Sequence, residues 1–262
     1  MSAEIWGTQL SFAIGLLGVY LGWKGVISRM TGFFDMAGAV KYLLYGIVSG
    51  MILAISIDSI LLSGINQSSL NIFYAISISL LIALTESTFV LFLLSRKRLI
   101  ELRGSPPFGW SLGLGIGSMQ ASLLIYRLFV DTNLSSQYSG VGLTTIVIAF
   151  FISISSGLGQ ALISSWQGSM ILDQLRFRPL IFSSIFRSIL ILSLTLSIFV
   201  PFLILVNIPA IMYFWPNAQE KWLISGMTPA AKQAYRRTLR QSSTHKENAA
   251  SREKGEILVT DE

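Results

Sequence analysis

The stretch GWSLGLGIGSMQASLLIYR, from Gly109 to Arg127, decides how the rest of the chain is read. It is apolar enough to lie in a membrane, yet it carries four glycines, a glutamine near its middle and an arginine at its end. Gly109, Gly113, Gly117 and Ala121 recur every four residues. On a helix that spacing collects them on one face. Lipid tails offer no hydrophobic drive for helices to associate, so close backbone approach and dispersion must do it, and small residues permit both. The stretch therefore predicts a packing surface between membrane helices, and its glycines need no chemistry to explain them.

The same pattern recurs on either side. Gly46, Gly50 and Ala54 repeat at four, and Gly18, Gly22 and Gly25 at three to four. Ser153, Gly157, Ala161, Ser165 and Ser169 make a further stripe. Composition agrees with a membrane protein. Of 262 residues 52% are hydrophobic and 12% charged, with a mean hydropathy of +0.65. Soluble domains carry about 25% charged residues. The charges cluster in short loops and in the last forty-odd residues, leaving apolar runs that reach the roughly 20 residues a spanning helix needs. The expected fold class is all-α, a polytopic transmembrane bundle.

Six main spans are expected, at 5–23, 40–62, 69–95, 109–130, 141–171 and 180–206. The segment between Trp23 and Lys41 is mixed in character and reads as an amphipathic interfacial piece. The N-terminus lacks the basic segment of a cleavable signal, so the first apolar run reads as a retained helix. Lys24, Arg29 and Lys41 fall in one loop, Arg96, Lys97, Arg98 and Arg103 in the next but one, and Arg176 and Arg178 in a third. The alternate loops, SGINQSS and DTNLSSQYSG, have no Lys or Arg. By the positive-inside rule the N-terminus faces outward and the basic loops face the cytoplasm of a cell membrane. Six spans would leave the basic tail outside. The run from Leu180 to Trp215 is long for one helix and contains Pro201 and Pro209, which interrupt helices. A second pass after Pro201 would make seven spans and return the tail to the cytoplasm. The division is thus a bundle over 1–215 and a polar tail over 216–262, helical from about Pro229 to Arg240 and disordered beyond.

The buried polar groups are the candidate site. Glu86 lies in LLIALTESTFVLFLL, about ten residues before Arg96, so roughly 15 Å from that end of its span. Gln120 and Gln160 lie near the middle of theirs, and Arg187 enters the sixth by about two turns. One acid, two amides and one arginine can therefore meet at similar depth. An ionisable group there is costly unless paired or wet, and marks a functional site by default. The competing reading is a structural clamp, because intramembrane hydrogen bonds also join helices. Asp58 and Arg127 lie closer to span ends, where both can reach the interface. Trp6, Trp23, Trp110, Trp215 and Trp222 fit interfacial belts, whereas Trp166 is harder to place.

The set excludes some chemistry. There is no cysteine, and the single histidine, His245, is in the tail. A catalytic zinc site with three protein ligands cannot be assembled in the bundle, nor can a Ser–His pair. No cofactor is expected. The expected partners are membrane lipid and another membrane protein or a second copy of the chain, with nucleic acid conceivable at the basic tail through charge alone.

The order of motifs resembles the PrsW and CAAX-protease (YhfC-like) superfamily of intramembrane proteases. TESTFVLFLLSRKR is similar to its glutamate motif and following basic loop. GLGIGSMQASLLIY is similar to its glycine-rich second motif, and SGLGQALISSWQG to its third. The likeness covers Thr85 to Gly168, about a third of the chain. Ser87 stands where the paired acid would be, Ser118 or Gln120 where an acid or histidine would be, and Gln160 where the family has histidine. The resemblance thus implies a non-catalytic member, one that serves as a scaffold or holds a partner's helix. Two functions follow as expectations: a non-enzymatic subunit of a membrane complex, or a transport component with Glu86, Gln120, Gln160 and Arg187 lining a polar path. An active protease ranks below both.

Overall fold

The structure, a computed structural model, describes residues 2–67, 71–130 and 140–254, with side chains described for 5–65, 71–130 and 140–241. Among these, seven helices are long and apolar enough to cross a membrane: Ile5–Met30, Met36–Ile65, Ile72–Leu94, Ser105–Val130, Leu143–Leu172, Phe177–Leu196 and Pro201–Trp222. They form an all-α polytopic bundle.

Local chemistry sets the helix ends. Asp35 caps the second span by accepting from Gly38 N at 3.0 Å, and Asn71 caps the third by accepting from Tyr74 N at 3.3 Å. Each satisfies a backbone N–H that a helix start leaves without a partner. Pro106 and Pro107 sit in the first turn of the fourth span, and Pro201 opens the seventh. At those positions a proline costs no intrahelical hydrogen bond.

The fourth span is the axis. Of its most apolar stretch 78% is buried, against 17% for the seventh. The fourth and fifth spans run antiparallel, and their small residues step past one another in register. Gly109 faces the Ser164 carbonyl, Gly113 the Gln160 carbonyl and Ala161, Gly117 the Ser156 carbonyl and Gly157, and Gly168 the Ser105 carbonyl. A methyl on Gly109 would stand 2.5 Å from the Ser164 oxygen, so a side chain there cannot be accommodated. Ala121 continues the row into the core beside Leu124 and Ile125. The second span packs parallel to the fourth on another face, with Gly46 against Leu112 and Gly115 and Gly50 against Ile116 and Met119. The first span lies along a third face, where Gly15 meets Ser122 and Gly22 meets Leu114, and Gly18 closes on Gly157. The glycine-rich stretch thus serves several neighbours at once.

Several expectations are revised. The apolar run after Pro201 is the seventh span that a second pass there would make, and it continues to Trp222. Proline breaks the chain at the turn and leaves both arms helical. The segment from Trp23 to Lys41 is divided between two helices: the first runs on to Met30, the second starts at Met36, and a short link joins them. Trp110 is fully buried, donates its indole N–H to the Gly22 carbonyl at 3.2 Å and packs edge-on against Trp215. It is a core residue, drawn inward because the fourth span is surrounded. The tail helix runs from Pro229 to Lys254, longer than expected. The side chain of His245 and the loop over 131–139 lie outside the described residues.

Candidate functional site: a buried ion pair and its amides

The four mid-span polar residues converge. Arg187 Nη1 donates to Glu86 Oε1 at 2.8 Å. Gln120 Nε2 donates to Glu86 Oε2 at 2.9 Å, and Gln160 Nε2 donates to Gln120 Oε1 at 3.1 Å. Each carboxylate oxygen therefore has its own donor, one charged and one neutral. The carboxylate and guanidinium are both 0% exposed, which decides how the site is read. Four separate spans supply these groups: the third, fourth, fifth and sixth.

Two further residues complete the network. Arg187 Nη2 donates to Ser164 Oγ at 2.7 Å and lies 3.5 Å from Gln167 Oε1. Gln167 Nε2 in turn donates to the Ser87 carbonyl at 2.9 Å. Gln160, Ser164 and Gln167 stand at i, i+4 and i+7, so a single face of the fifth span presents them all. That spacing was available in the sequence, but serine is common enough in membrane helices that it draws no notice on its own. Arg187 Nε and Gln160 Oε1 have no partner within the described residues. The next residue on the sixth span, Ser188, bonds Ser79 of the third at 2.9 Å, and Ser193 and Asn207 join the sixth to the seventh at 2.8 and 3.0 Å.

Asp58 and Arg127 do not reach separately for the interface. Arg127 Nε and Nη2 donate to the two carboxylate oxygens of Asp58 at 2.7 and 2.6 Å, a fork-to-fork pair between the second and fourth spans. The second span changes to π-helical winding over Ile57–Leu62, and Asp58 lies in that turn. Wider winding of this kind often accompanies functional positions. Here it accompanies a cross-span pair.

The chemistry open to this arrangement is limited. The Glu86 carboxylate is not exposed, and its two oxygens already accept from Arg187 and Gln120. Among the described residues no three His, Cys, Asp or Glu side chains group closely enough to hold a metal ion. The groups around Glu86 are amides, a hydroxyl and a guanidinium, and the guanidinium's own charge opposes a cation at that carboxylate. Burying two charges costs several kcal/mol per ion, offset by their attraction and by the added hydrogen bonds. The arrangement holds four helices in one register. No family model, no curated protein and no solved structure matches the chain.

Proposed function

We propose that the chain is a non-enzymatic multi-pass protein of the cell membrane, acting as a scaffold or subunit of a membrane complex. The observation that supports this is the enclosure of Glu86: one oxygen takes Arg187, the other takes Gln120, and neither is exposed. A conduit needs its charged groups to face water or a cavity, and these face one another. The resemblance to the CAAX-protease superfamily agrees with this reading. In the motif positions where that resemblance implies water-activating groups, this chain places amides that bond to each other and to the glutamate.

The glycine stripes bear on where a partner would dock. Gly46, Gly50, Gly109, Gly113, Gly117 and Gly157 all face neighbouring spans of the same chain, so they leave no glycine face for another protein. The seventh span is the least buried, with Phe202, Leu205, Met212 and Tyr213 exposed. A partner helix would lie there. With the N-terminus outside, the basic loops and the tail would face the cytoplasm.

The test joins two measurements. Protein reconstituted in sealed vesicles is assayed for ion and proton flux, and a photo-reactive residue replaces Met212 or Tyr213 in cells. The expected outcome is no flux, with a discrete cross-linked species from the seventh span that is absent when the photo-reactive residue replaces Phe73 of the third. Flux that is lost in Glu86→Gln would overturn the proposal.

A further inference from the structure

A groove of about 440 Å³ opens on the bundle surface between the fifth, sixth and seventh spans. At one end lie Arg178, Trp166 and Trp222, and at the other Leu190 and Asn207. From Arg178 to Leu190 is twelve residues of helix, so the groove is about 18 Å long at 1.5 Å per residue. The hydrocarbon of one leaflet is about half of a 30 Å core, or about 15 Å. A spanning helix of about 20 residues is about 30 Å long, longer than this groove. The groove has the length of one acyl chain in one leaflet. Its walls, Phe182, Phe186 and Phe214 among them, are apolar.

The polar end is built for an anion. The Arg178 guanidinium stands 5.9 Å over the ring of Phe182, which holds it at the groove mouth. Phe182 is in turn packed edge-on against Trp166 at 6.5 Å, and Phe214 lies 6.0 Å from Trp222. Among the described residues Arg178 has no acidic partner: Asp173 and Glu220, the nearest acids in sequence, form no ion pair with it, and Trp166 and Trp222 have no indole acceptor. Arg176 and Lys221 are close in sequence to Arg178 and Trp222, as are Asp173 and Glu220. Arginine binds phosphate through a planar fork of donors, and indole rings settle at headgroup depth.

We propose that this groove is a binding site for one anionic phospholipid. An acyl chain lies along the sixth span, and the headgroup phosphate is held by Arg178 and the tryptophan N–H groups. This goes beyond the scaffold reading and does not rest on it.

The test uses the full chain extracted in mild detergent and offered phosphatidylglycerol or phosphatidylcholine with the same acyl chains, with retained lipid counted by native mass spectrometry. One phosphatidylglycerol per chain is expected, retained at least tenfold over phosphatidylcholine. Ala210→Trp, which fills the groove, should abolish retention of both. Arg178→Gln should lower phosphatidylglycerol to the phosphatidylcholine level, with Arg178→Lys between. Free glycerol phosphate should not displace the lipid, which separates a lipid site from a simple phosphate site. A photo-reactive phosphatidylglycerol keeps the test independent of whether a variant folds. It should label peptides of the sixth and seventh spans around Phe182 and Phe214. Equal retention of the two lipids, labelling spread evenly over the second and third spans, or a second copy of the chain in the groove would each overturn the proposal.

Discussion

Breaking the Glu86–Arg187 pair from either side should cost far more than removing it whole. Arg187→Met takes away the donors to Glu86, Ser164 and Gln167 and leaves the carboxylate with Gln120 alone. Glu86→Gln keeps the volume but leaves a fully buried guanidinium facing a neutral amide. Removing one partner of a buried pair costs about 3–5 kcal/mol, because the other charge is left uncompensated. At about 2–4 °C per kcal/mol for a chain of this size, each single variant should lower the apparent Tm by roughly 6–20 °C. The double variant Glu86→Gln/Arg187→Met has no buried charge to leave stranded. What it loses is hydrogen bonds, each about 0.6 kcal/mol in a membrane protein. It should therefore be more stable than either single variant, with a coupling of at least about 2 kcal/mol. Thermal unfolding in one mild detergent, followed through the six tryptophans, reads all four proteins in one cycle. Losses that simply add, or single variants within about 2 °C of the parent, would refute the claim that the pair is dry and mutually dependent.

Other outcomes follow from the packing. Gly113→Ala puts a methyl against the Gln160 carbonyl and the Ala161 backbone, neither of which can yield, and should cost about 1–3 kcal/mol. Gly142→Ala meets nothing nearer than Thr145 Oγ1 at 3.8 Å, so in the same thermal assay it should be neutral. Asp58→Asn breaks a pair whose arginine side is 35% exposed, and should cost only about 1 kcal/mol in chemical denaturation. Tyr235, on the tail helix, packs edge-on against Phe33 at 5.5 Å, and burial raises its pKa above the usual 10.0 despite the opposing pull of Arg29. The folded state thus holds this proton more tightly than the unfolded one. Its contribution to tail docking is fully present below pH about 10 and is lost as pH rises through the higher folded value. A spin label at Lys232 should gain mobility over that range, and Tyr235→Phe should remove the change.

The bundle was legible in the sequence because its signals are local. Long apolar runs and small residues at four-residue spacing each report a helix and one of its faces without reference to anything distant. Glu86, Gln120, Gln160 and Arg187 were legible for a related reason: few polar side chains stand at mid-span, and depth can be counted from the basic loops. What could not be read depends on how helices are turned toward one another. Asp58 and Arg127 meet because a π-helical turn falls at residue 57 and the second span runs parallel to the fourth. Neither fact is local to either residue. Trp110 read as interfacial from its position near a span end, whereas enclosure of the fourth span on several sides buries it. The seventh span was obscured by its own prolines. Pro201 and Pro209 lower the helical signal, although Pro201 sits at a helix start where it does no harm.

The fifth span shows why the polar cluster and the small-residue stripe belong to one device. Gln160 supplies its backbone carbonyl to the contact with Gly113 and its side-chain amide to Gln120. Close approach at Gly113 is therefore what brings the fifth span near enough for a hydrogen bond from Gln160 to reach across. A glutamine accepts through one atom and donates through another without titrating, so Gln120 can take Gln160 on its oxygen while giving its N–H to Glu86. A histidine there would change charge near neutral pH and with it the register of four helices. Amides in these places carry no titrating proton, and Glu86 is paired with Arg187.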